Sequence, residues 1–333
     1  MWYSTAGCIV MLTLSLLMAP LVAPAQQTAK IARIGLLSLA SPADVVYQDY
    51  QTFRQGLTDL GWIEGKNIRI EYRYAEGRTE RLPDLAAELV RLQVDLIVAV
   101  STPAVRAAKD ATTSIPIVIA AAVDPVRLGF VASLARPGGN ITGTSHSQPE
   151  LVGKQLEFLR TLLPTLSRVA FLTYSSGGAG PRPFTEVTQD AAKRLGMQLQ
   201  LVVIGSVEEM ESAFAAMSSE RAEALVIQPL LIGAPFQQGQ KIADLAVKHR
   251  LPTISSQDGF AEVGGLLSYG PDSLALMRSA TVFVDKILKG AKPGDLPVEQ
   301  AMKFELVINL KTAKALDLTI PPILLFQADK VIQ

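Results

Sequence analysis

The chain has 333 residues, 49% of them hydrophobic, which is enough for one large α/β domain or for two lobes of ordinary size. Lysine plus arginine and aspartate plus glutamate each number 31, so the formal net charge is zero. Because the phosphates of nucleic acid demand a basic face, this balance predicts that the protein has no nucleic-acid partner.

The N-terminal segment has the features of a secretory signal. It carries no charged side chain up to residue 25, and Ile9–Met18 is an almost unbroken apolar run that is too short to span a ~30 Å hydrocarbon core. Since Ala23 and Ala25 place small residues where a signal peptidase reads, we predict a signal peptide over residues 1–25 and a periplasmic mature protein. A retained membrane anchor is the alternative. The only cysteine, Cys8, lies in this segment, so we expect no disulfide and no thiolate metal site in the mature chain.

From Ile31 onward, short apolar runs alternate with longer segments of helical periodicity. The predicted strands are Ala32–Leu37, Ile68–Tyr74, Leu96–Val100, Ile117–Ala120, Arg168–Leu172, Gln198–Ile204, Ala224–Ile227 and Thr253–Ser255. The predicted helices are Tyr47–Leu60, Arg81–Leu92, Pro103–Ala111, Leu151–Leu163, Phe184–Leu195, Val207–Met217, Gln237–Lys248 and Ser273–Leu288. This alternation predicts βαβ units and a parallel sheet, and runs such as DLIVAV and ALVIQP are typical of strands covered on both faces.

The alternating pattern occurs twice, from Ile31 to about Ile119 and from Arg168 to about Ser255. The stretch between them includes SLARPGGNITGTSHS, whose adjacent glycines raise the question of a phosphate site. No G-x-G-x-x-G or G-x-x-x-x-G-K pattern follows a strand there, so we predict a structural turn instead. We expect ARPGGN to close a helix with its glycine and NITGTS to cross in extended form into the second half.

Four stretches form a recognisable set: GWIEGKNIRIEYRYAEGRTERLPDLAAELV, IPIVIAAAVDPVRLGFVASLARPGGNITG, GGLLSYGPD and DLPVEQAMKFELVINLKTAKALDL. Together they resemble the ABC-transporter substrate-binding family related to tryptophan/tyrosine-binding proteins, from about Arg33 to the C-terminus. The resemblance implies the α/β fold of a type I periplasmic binding protein, with two Rossmann-like lobes whose parallel sheets are joined by hinge crossovers. A ligand would be clamped in the cleft between the lobes.

The same resemblance, together with the duplicated pattern, gives the expected domain boundaries. The N-terminal lobe would comprise residues 31–142 plus about 270–303, and the C-terminal lobe would comprise 143–269 plus about 304–333. Crossover segments are expected near Asn140–Thr144, Leu267–Gly270 and Phe304–Asn309.

Ligand-binding candidates in the first half follow the strand ends, because an open parallel sheet binds ligands beyond the carboxyl ends of its strands. Ser38 and Ser41 follow the first strand. Ser101 and Thr102 follow another strand and precede Pro103, which marks a helix start. The free N–H groups of that helix start suit a ligand carboxylate. Plain helix capping is the alternative for the hydroxyls of Ser101 and Thr102.

The remaining ligand-binding candidates also lie at the ends of predicted strands. Asp124 begins the element after AAAV and could pair with a ligand ammonium, or it could cap a helix that starts at Pro125. Tyrosines in a cleft can stack on a flat ligand and donate a hydrogen bond. The candidates at strand ends in the second half are Thr144, Ser145, Tyr174, Gln228, Ser256 and Tyr269. Turn chemistry is the alternative for the serines, and core packing is the alternative for Tyr174.

The sequence supplies little for catalysis. Its two histidines, His146 and His249, have neither a G-x-S-x-G serine nor a zinc-ligand pattern beside them, so we expect no catalytic residue, metal or cofactor. We therefore predict the exported binding component of an ABC importer, a monomer that delivers a small organic ligand to a permease and its ATPase. The resemblance suggests an amino acid or a related zwitterion. An enzyme on the same scaffold and a ligand-sensing module remain the alternatives.

Overall fold

The strands of the computed structural model form two separate sheets. The model describes residues 31–40, 47–146, 148–174, 182–232, 238–257 and 259–333, and Ala32–Gln333 make up one compact unit. The predicted signal peptide and Ser41 lie outside the described residues. Within those ranges, no helix is both long enough and apolar enough to cross a membrane.

The first sheet is parallel throughout and is built mainly from the first half of the chain. Its strands are β1 (Ala32–Ser38), β2 (Ile68–Tyr74), β3 (Leu96–Val100), β4 (Ile117–Val123), β5 (Ile141–His146) and β11 (Glu299–Gln300). They are hydrogen-bonded in the order β11-β5-β4-β3-β1-β2. The chain therefore departs from β1 in both directions across the sheet, as in a doubly wound fold.

The second sheet repeats this arrangement and adds the C-terminal strands. Its strands are β6 (Arg168–Tyr174), β7 (Gln198–Ile204), β8 (Ala224–Ile227), β9 (Thr253–Ser255), β10 (Leu267–Pro271), β12 (Phe304–Asn309) and β13 (Lys330–Ile332). The order is β13-β12-β10-β9-β8-β6-β7, and the pair β10–β12 is antiparallel while the others are parallel. The predicted fold class is confirmed.

Helices cover both faces of each sheet. They are α1 (Tyr47–Asp59), α2 (Leu82–Arg91), α3 (Thr102–Ala111), α4 (Gln148–Leu162), α5 (Arg182–Arg194), α6 (Met210–Ser219), α7 (Pro229–Ile232), α8 (Gly239–Lys248), α9 (Ser273–Leu288), α10 (Leu310–Ala315) and α11 (Pro322–Gln327). Leu36 of β1 packs in one apolar cluster with Phe53 and Phe283, whereas Leu37 packs in another with Leu89. Neighbouring residues of one strand are thus buried on opposite faces, which explains the continuous apolar runs.

The chain passes between the sheets three times: after β5, between β10 and β11, and between β11 and β12. The helix α4 packs in the second sheet's core through Leu156 and Leu159, while α9 packs in the first sheet's core through Phe283. The lobe boundaries stay a prediction. The predicted crossover segments are strands of the sheets: the first two crossings come after β5 and β10, and the third comes before β12.

The glycine-rich stretch before β5 is a turn, but the helix predicted to end there is wrong. The segment between Val123 and Ile141 holds turns and no helix. The Ser133 hydroxyl donates to the Arg136 carbonyl at 3.1 Å and accepts the Arg136 amide at 3.0 Å, which closes the turn locally. In β5, Gly143 has φ +130°, and a Cβ there would lie 2.5 Å from the backbone nitrogen of Ile119. Gly143 therefore serves close backbone packing, whereas Gly138 has a turn conformation with φ +76°.

Candidate functional site

In each sheet the chain leaves the first strand in both directions, and the place where the direction reverses is called the switch point. The two switch points lie at equivalent positions. In the first sheet, β1 and β3 are neighbours, and Ser38 is level with Val100 where both strands end. In the second sheet, β6 and β8 are neighbours, with Leu172 level with Ile227. Ligands of open α/β sheets bind beyond such carboxyl ends. The candidate site therefore comprises the residues that follow these four strands.

At the first switch point, the serine hydroxyls do not cap helices. Ser38 is 2% exposed, and its Oγ accepts the amide of Ala40 at 3.1 Å. Ser101 precedes α3 with φ +94°, makes no side-chain cap, and has a buried Oγ without a hydrogen-bond partner in the described structure. A non-glycine residue at such a φ is strained, and strain of this kind concentrates at functional positions. The capping alternative is therefore wrong for Ser101.

Thr102 and Asp124 follow β3 and β4, which are neighbouring strands of the first sheet. The Thr102 Oγ1 accepts the amide of Val123 at 3.2 Å, which ties the start of α3 to the end of β4. Asp124 follows with φ +41°, and its carbonyl accepts the amide of Leu128 at 3.0 Å. Residues 125–129 form a turn, so no helix for Asp124 to cap starts at Pro125. The structure thus brings Asp124 to the same edge as Thr102.

At the second switch point, Gln228 ties β8 to β6. Its Oε1 accepts the Thr173 hydroxyl at 2.7 Å and the Tyr174 amide at 2.9 Å. The backbone N–H of Gln228 donates to the Leu172 carbonyl at 3.0 Å. This places Tyr174 and Gln228 side by side at the strand ends. Thr173 was not among the sequence candidates, because a hydroxyl inside an apolar strand gives no sequence signal of its partner.

Ser256 and Tyr269 lie at the neighbouring strands of the second sheet. A Cβ on Gly270 would collide with the backbone of Ser256, so these two segments pack in close contact. The Tyr269 ring packs edge-on to Phe158 and stacks with Phe304, with ring centroids 5.0 Å and 5.9 Å away. Burial raises the pKa of the Tyr269 hydroxyl. These contacts pack Tyr269 against the core of the second sheet.

Thr144 and Ser145 belong to β5 of the first sheet and are fully buried. The Thr144 hydroxyl donates to the Ile119 carbonyl at 3.3 Å, whereas the Ser145 Oγ has no hydrogen-bond partner in the described structure. Neither side chain reaches the surface of the protein in this arrangement. Ser145 is level with Ala122 of β4, two residues before Asp124.

Sequence reasoning missed a cluster of tyrosines at the end of β2. The rings of Tyr72 and Tyr74 stack with centroids 6.0 Å apart, and Tyr50 packs edge-on to Tyr74 at 5.9 Å. The Tyr72 hydroxyl donates to Glu64 at 3.3 Å. Burial, followed by the Glu64 charge, raises the pKa of Tyr72, and burial raises that of Tyr74. The repeated tyrosines in IEYRY were the available signal, and Tyr74 is level with Ser38.

The described residues offer no grouping of three or more His, Cys, Asp or Glu side chains that could hold a metal ion. His249 has a structural environment. Its Nδ1 lies 2.8 Å from the Ser218 hydroxyl, and its ring packs against Phe214. The candidate residues at the strand ends carry hydroxyl, carboxamide and carboxylate groups, which can form hydrogen bonds or charge pairs with a small ligand.

The paired, mostly parallel sheets define a periplasmic-binding-protein-like fold, and comparisons with known proteins agree. The model of the ABC transporter substrate binding protein family matches residues 36–332. The chain belongs to this family, which confirms the resemblance seen in the sequence. Its members are substrate-binding proteins rather than enzymes, bind small molecules, work with transporter components and are typically extracytoplasmic.

Three known proteins are similar to this chain over most of its length. A tyrosine-binding protein of Clostridioides difficile (strain R20291) is 31% identical over 266 residues, which cover 80% of this chain and 75% of the relative. A domain from Streptococcus pneumoniae solved in complex with L-Trp is 30% identical, with a TM-score of 0.80 over 90% of this chain and 99% of that one. A conserved domain protein of Vibrio cholerae is 28% identical, with a TM-score of 0.81 over 91% and 100%.

Proposed function

We propose that this protein is the solute-binding component of an ABC importer and that its ligand is an amino acid or a related zwitterion. The observation that carries the proposal is the similarity, over 90% of the chain, to a domain solved with L-Trp. The tyrosine-binding relative supports the same ligand class independently. Aromatic amino acids are therefore the first ligands to test.

The groups at the carboxyl ends of the strands in the two sheets suit a zwitterionic ligand. The start of α3 offers backbone N–H groups and the Ser101 hydroxyl, which suit a carboxylate. Asp124 lies at the next strand end of the same sheet and supplies the opposite charge for an ammonium group. Gln228 and Tyr174 supply the second sheet's contribution. A small number of placed polar groups in a desolvated cleft is the usual basis of such binding.

The proposed ligand also implies a role for the protein in transport. The protein would be exported after removal of residues 1–25, act as a monomer in the periplasm, and close its two lobes around the ligand by hinge motion. The N-terminal lobe would contain residues 31–142 and about 270–303, and the C-terminal lobe would contain 143–269 and about 304–333. It would then deliver the ligand to a membrane permease driven by an ATPase, with no nucleic-acid partner.

The test is direct binding. Isothermal titration of the purified protein with L-tryptophan, L-tyrosine, a purine and a dicarboxylate should give saturable binding for an aromatic amino acid. A ligand that binds only the folded state also raises the unfolding midpoint. Binding of the purine or dicarboxylate alone would refute the proposed ligand class. Uptake of the labelled ligand, lost on deletion of the gene and restored by its return, separates import from sensing.

A further inference from the structure

The buried hydroxyl of Thr173 has a partner that lies on another strand. Thr173 is fully buried in β6, and its Oγ1 donates to the Gln228 Oε1 at 2.7 Å. The Tyr174 amide donates to the same oxygen at 2.9 Å. A backbone N–H can only donate, so the Gln228 atom that faces β6 must be the oxygen and not the nitrogen. The orientation of this carboxamide is therefore determined by its partners.

Both of these bonds use the oxygen of Gln228, which directs its NH2 group away from β6. Gln228 directly follows β8, at the switch point of the second sheet, where ligands of such sheets bind. The amide nitrogen carries two donors, which recognise an acceptor such as a carboxylate or a carbonyl oxygen. We infer that Thr173 is a positioning residue, which holds the Gln228 carboxamide so that its NH2 group donates to an acceptor oxygen of the ligand. This inference rests on the proposed function.

The energetic reason for such an arrangement is preorganisation. A free glutamine side chain loses rotamer freedom when it binds a ligand, and this loss weakens binding. Thr173 and the Tyr174 amide fix the carboxamide beforehand, so that cost is met during folding. Because Thr173 is fully buried, it acts on the ligand only through Gln228.

Three variants separate these roles. Thr173→Val keeps the side-chain shape but removes the donor, and Thr173→Ser keeps the hydroxyl. Gln228→Glu keeps an oxygen for both internal bonds but replaces the NH2 group. For L-tryptophan binding, we expect Thr173→Val to weaken affinity about three- to tenfold, Thr173→Ser about twofold or less, and Gln228→Glu about tenfold or more.

A matched control is available in the same sheet. Thr253 is 1% exposed, and its Oγ1 accepts the Leu266 amide at 3.0 Å at the amino end of β9, away from the candidate site. Thr253→Val removes a buried threonine hydroxyl without touching Gln228. It should lower the unfolding midpoint and leave the affinity for L-tryptophan unchanged. An equal loss of affinity in Thr253→Val and Thr173→Val would overturn the inference.

A ligand-independent measurement completes the test. In a ¹H–¹⁵N spectrum of the ligand-free protein, the Gln228 NH2 pair is identified by its absence in Gln228→Glu. It should be sharp and dispersed in the wild type and in Thr173→Ser, and shifted toward the free-amide position in Thr173→Val. An unaltered pair in Thr173→Val refutes the positioning role, whatever the ligand. An altered pair with unchanged L-tryptophan affinity also refutes it and leaves the proposed function intact.

If the wild type binds neither L-tryptophan nor L-tyrosine, the ligand class of the proposed function fails. The spectrum then decides the positioning role by itself: a displaced pair in Thr173→Val supports it, and an unaltered pair overturns it.

Discussion

The backbone of Ser256 occupies the space that a side chain at Gly270 would need. A Cβ at Gly270 would lie 2.8 Å from the Ser256 carbonyl carbon and would collide with its oxygen. Gly270 is followed by Pro271, which ends β10 just before the chain crosses to α9. Because Gly270 has no side chain, Ser256, a candidate ligand-binding residue, can lie against the end of β10, where the chain crosses between the sheets.

Replacing Gly270 with alanine should disturb both stability and binding. The new methyl group must displace the Ser256 backbone, and overpacking of this kind costs about 1–3 kcal/mol. Denaturant unfolding should show this loss, and titration with L-tryptophan should show weaker binding if Ser256 contributes to the site. Gly153→Ala is the control, because nothing lies within 4 Å of a Cβ at this helical position. That change should stabilise the protein by about 0.5–1 kcal/mol.

Asp124→Asn tests the proposed partner of the ligand ammonium. Asparagine tolerates the positive φ of 41° at this position, so the change removes charge without new backbone strain. We expect L-tryptophan affinity to fall about tenfold or more, which corresponds to about 1.4 kcal/mol, while the unfolding midpoint of the ligand-free protein hardly changes. A lower midpoint with normal affinity would show that Asp124 only holds its turn.

The strands were the most predictable part of this fold. Leu96–Val100 and Ala224–Ile227 have the predicted bounds, since apolar runs indicate buried parallel strands. Ile68–Tyr74 and Gln198–Ile204 also have the predicted bounds, although they are partly exposed strands at the ends of their sheets. The strand β5 was predicted only as an extended crossover. Its sequence ITGTSH holds few apolar side chains, and its place in the sheet depends on Gly143, whose close approach to Ile119 has no local signal.

The site was less predictable than the fold. The rule of strand ends led to Ser101, Asp124 and Gln228, which the structure places at carboxyl edges. It also selected Thr144 and Ser145, because it took β5 as the start of the second half and not as a strand within the first sheet. Partnerships such as Thr173 with Gln228 join residues 55 positions apart, and sequence patterns cannot show them.

Glu223 should make stability depend on pH. Its carboxylate accepts the amides of Ser167 at 2.7 Å and Arg168 at 2.9 Å, and these bonds lower its pKa below the ordinary value of 4.5. A lowered pKa in the folded state stabilises the fold above the unfolded value, and this contribution is lost as the pH falls through the folded value.

Thermal unfolding of the wild type and Glu223→Gln across pH checks this expectation. The wild type should unfold at a higher temperature above about pH 5, and the difference should shrink progressively below pH 4.5. The carboxylate is exposed to solvent, so we expect a modest difference. A difference that is constant over the whole range would contradict the assigned role of the charge.

Arg127 and Glu186 form an ion pair at 3.7 Å between an element of the first sheet and a helix of the second sheet. Arg127 lies in the turn after β4 of the first sheet, and Glu186 lies in α5, which packs in the core of the second sheet through Val187. Their side chains are 40% and 68% exposed, so the pair contributes at most about 1 kcal/mol. If lobe closure accompanies binding, this pair should favour the closed arrangement.

Charge reversal provides the test of that role. Arg127→Glu should weaken L-tryptophan binding about two- to fivefold at about 0.15 M salt, and the effect should shrink at about 1 M salt because the pair is screened. The double variant Arg127→Glu/Glu186→Arg restores an opposite-charge pair and should recover affinity. Small-angle scattering should show the wild type becoming more compact when L-tryptophan is added, and Arg127→Glu needing more ligand to do so. If the double variant binds no better than Arg127→Glu, the loss comes from another contact of Arg127 and not from its pairing with Glu186.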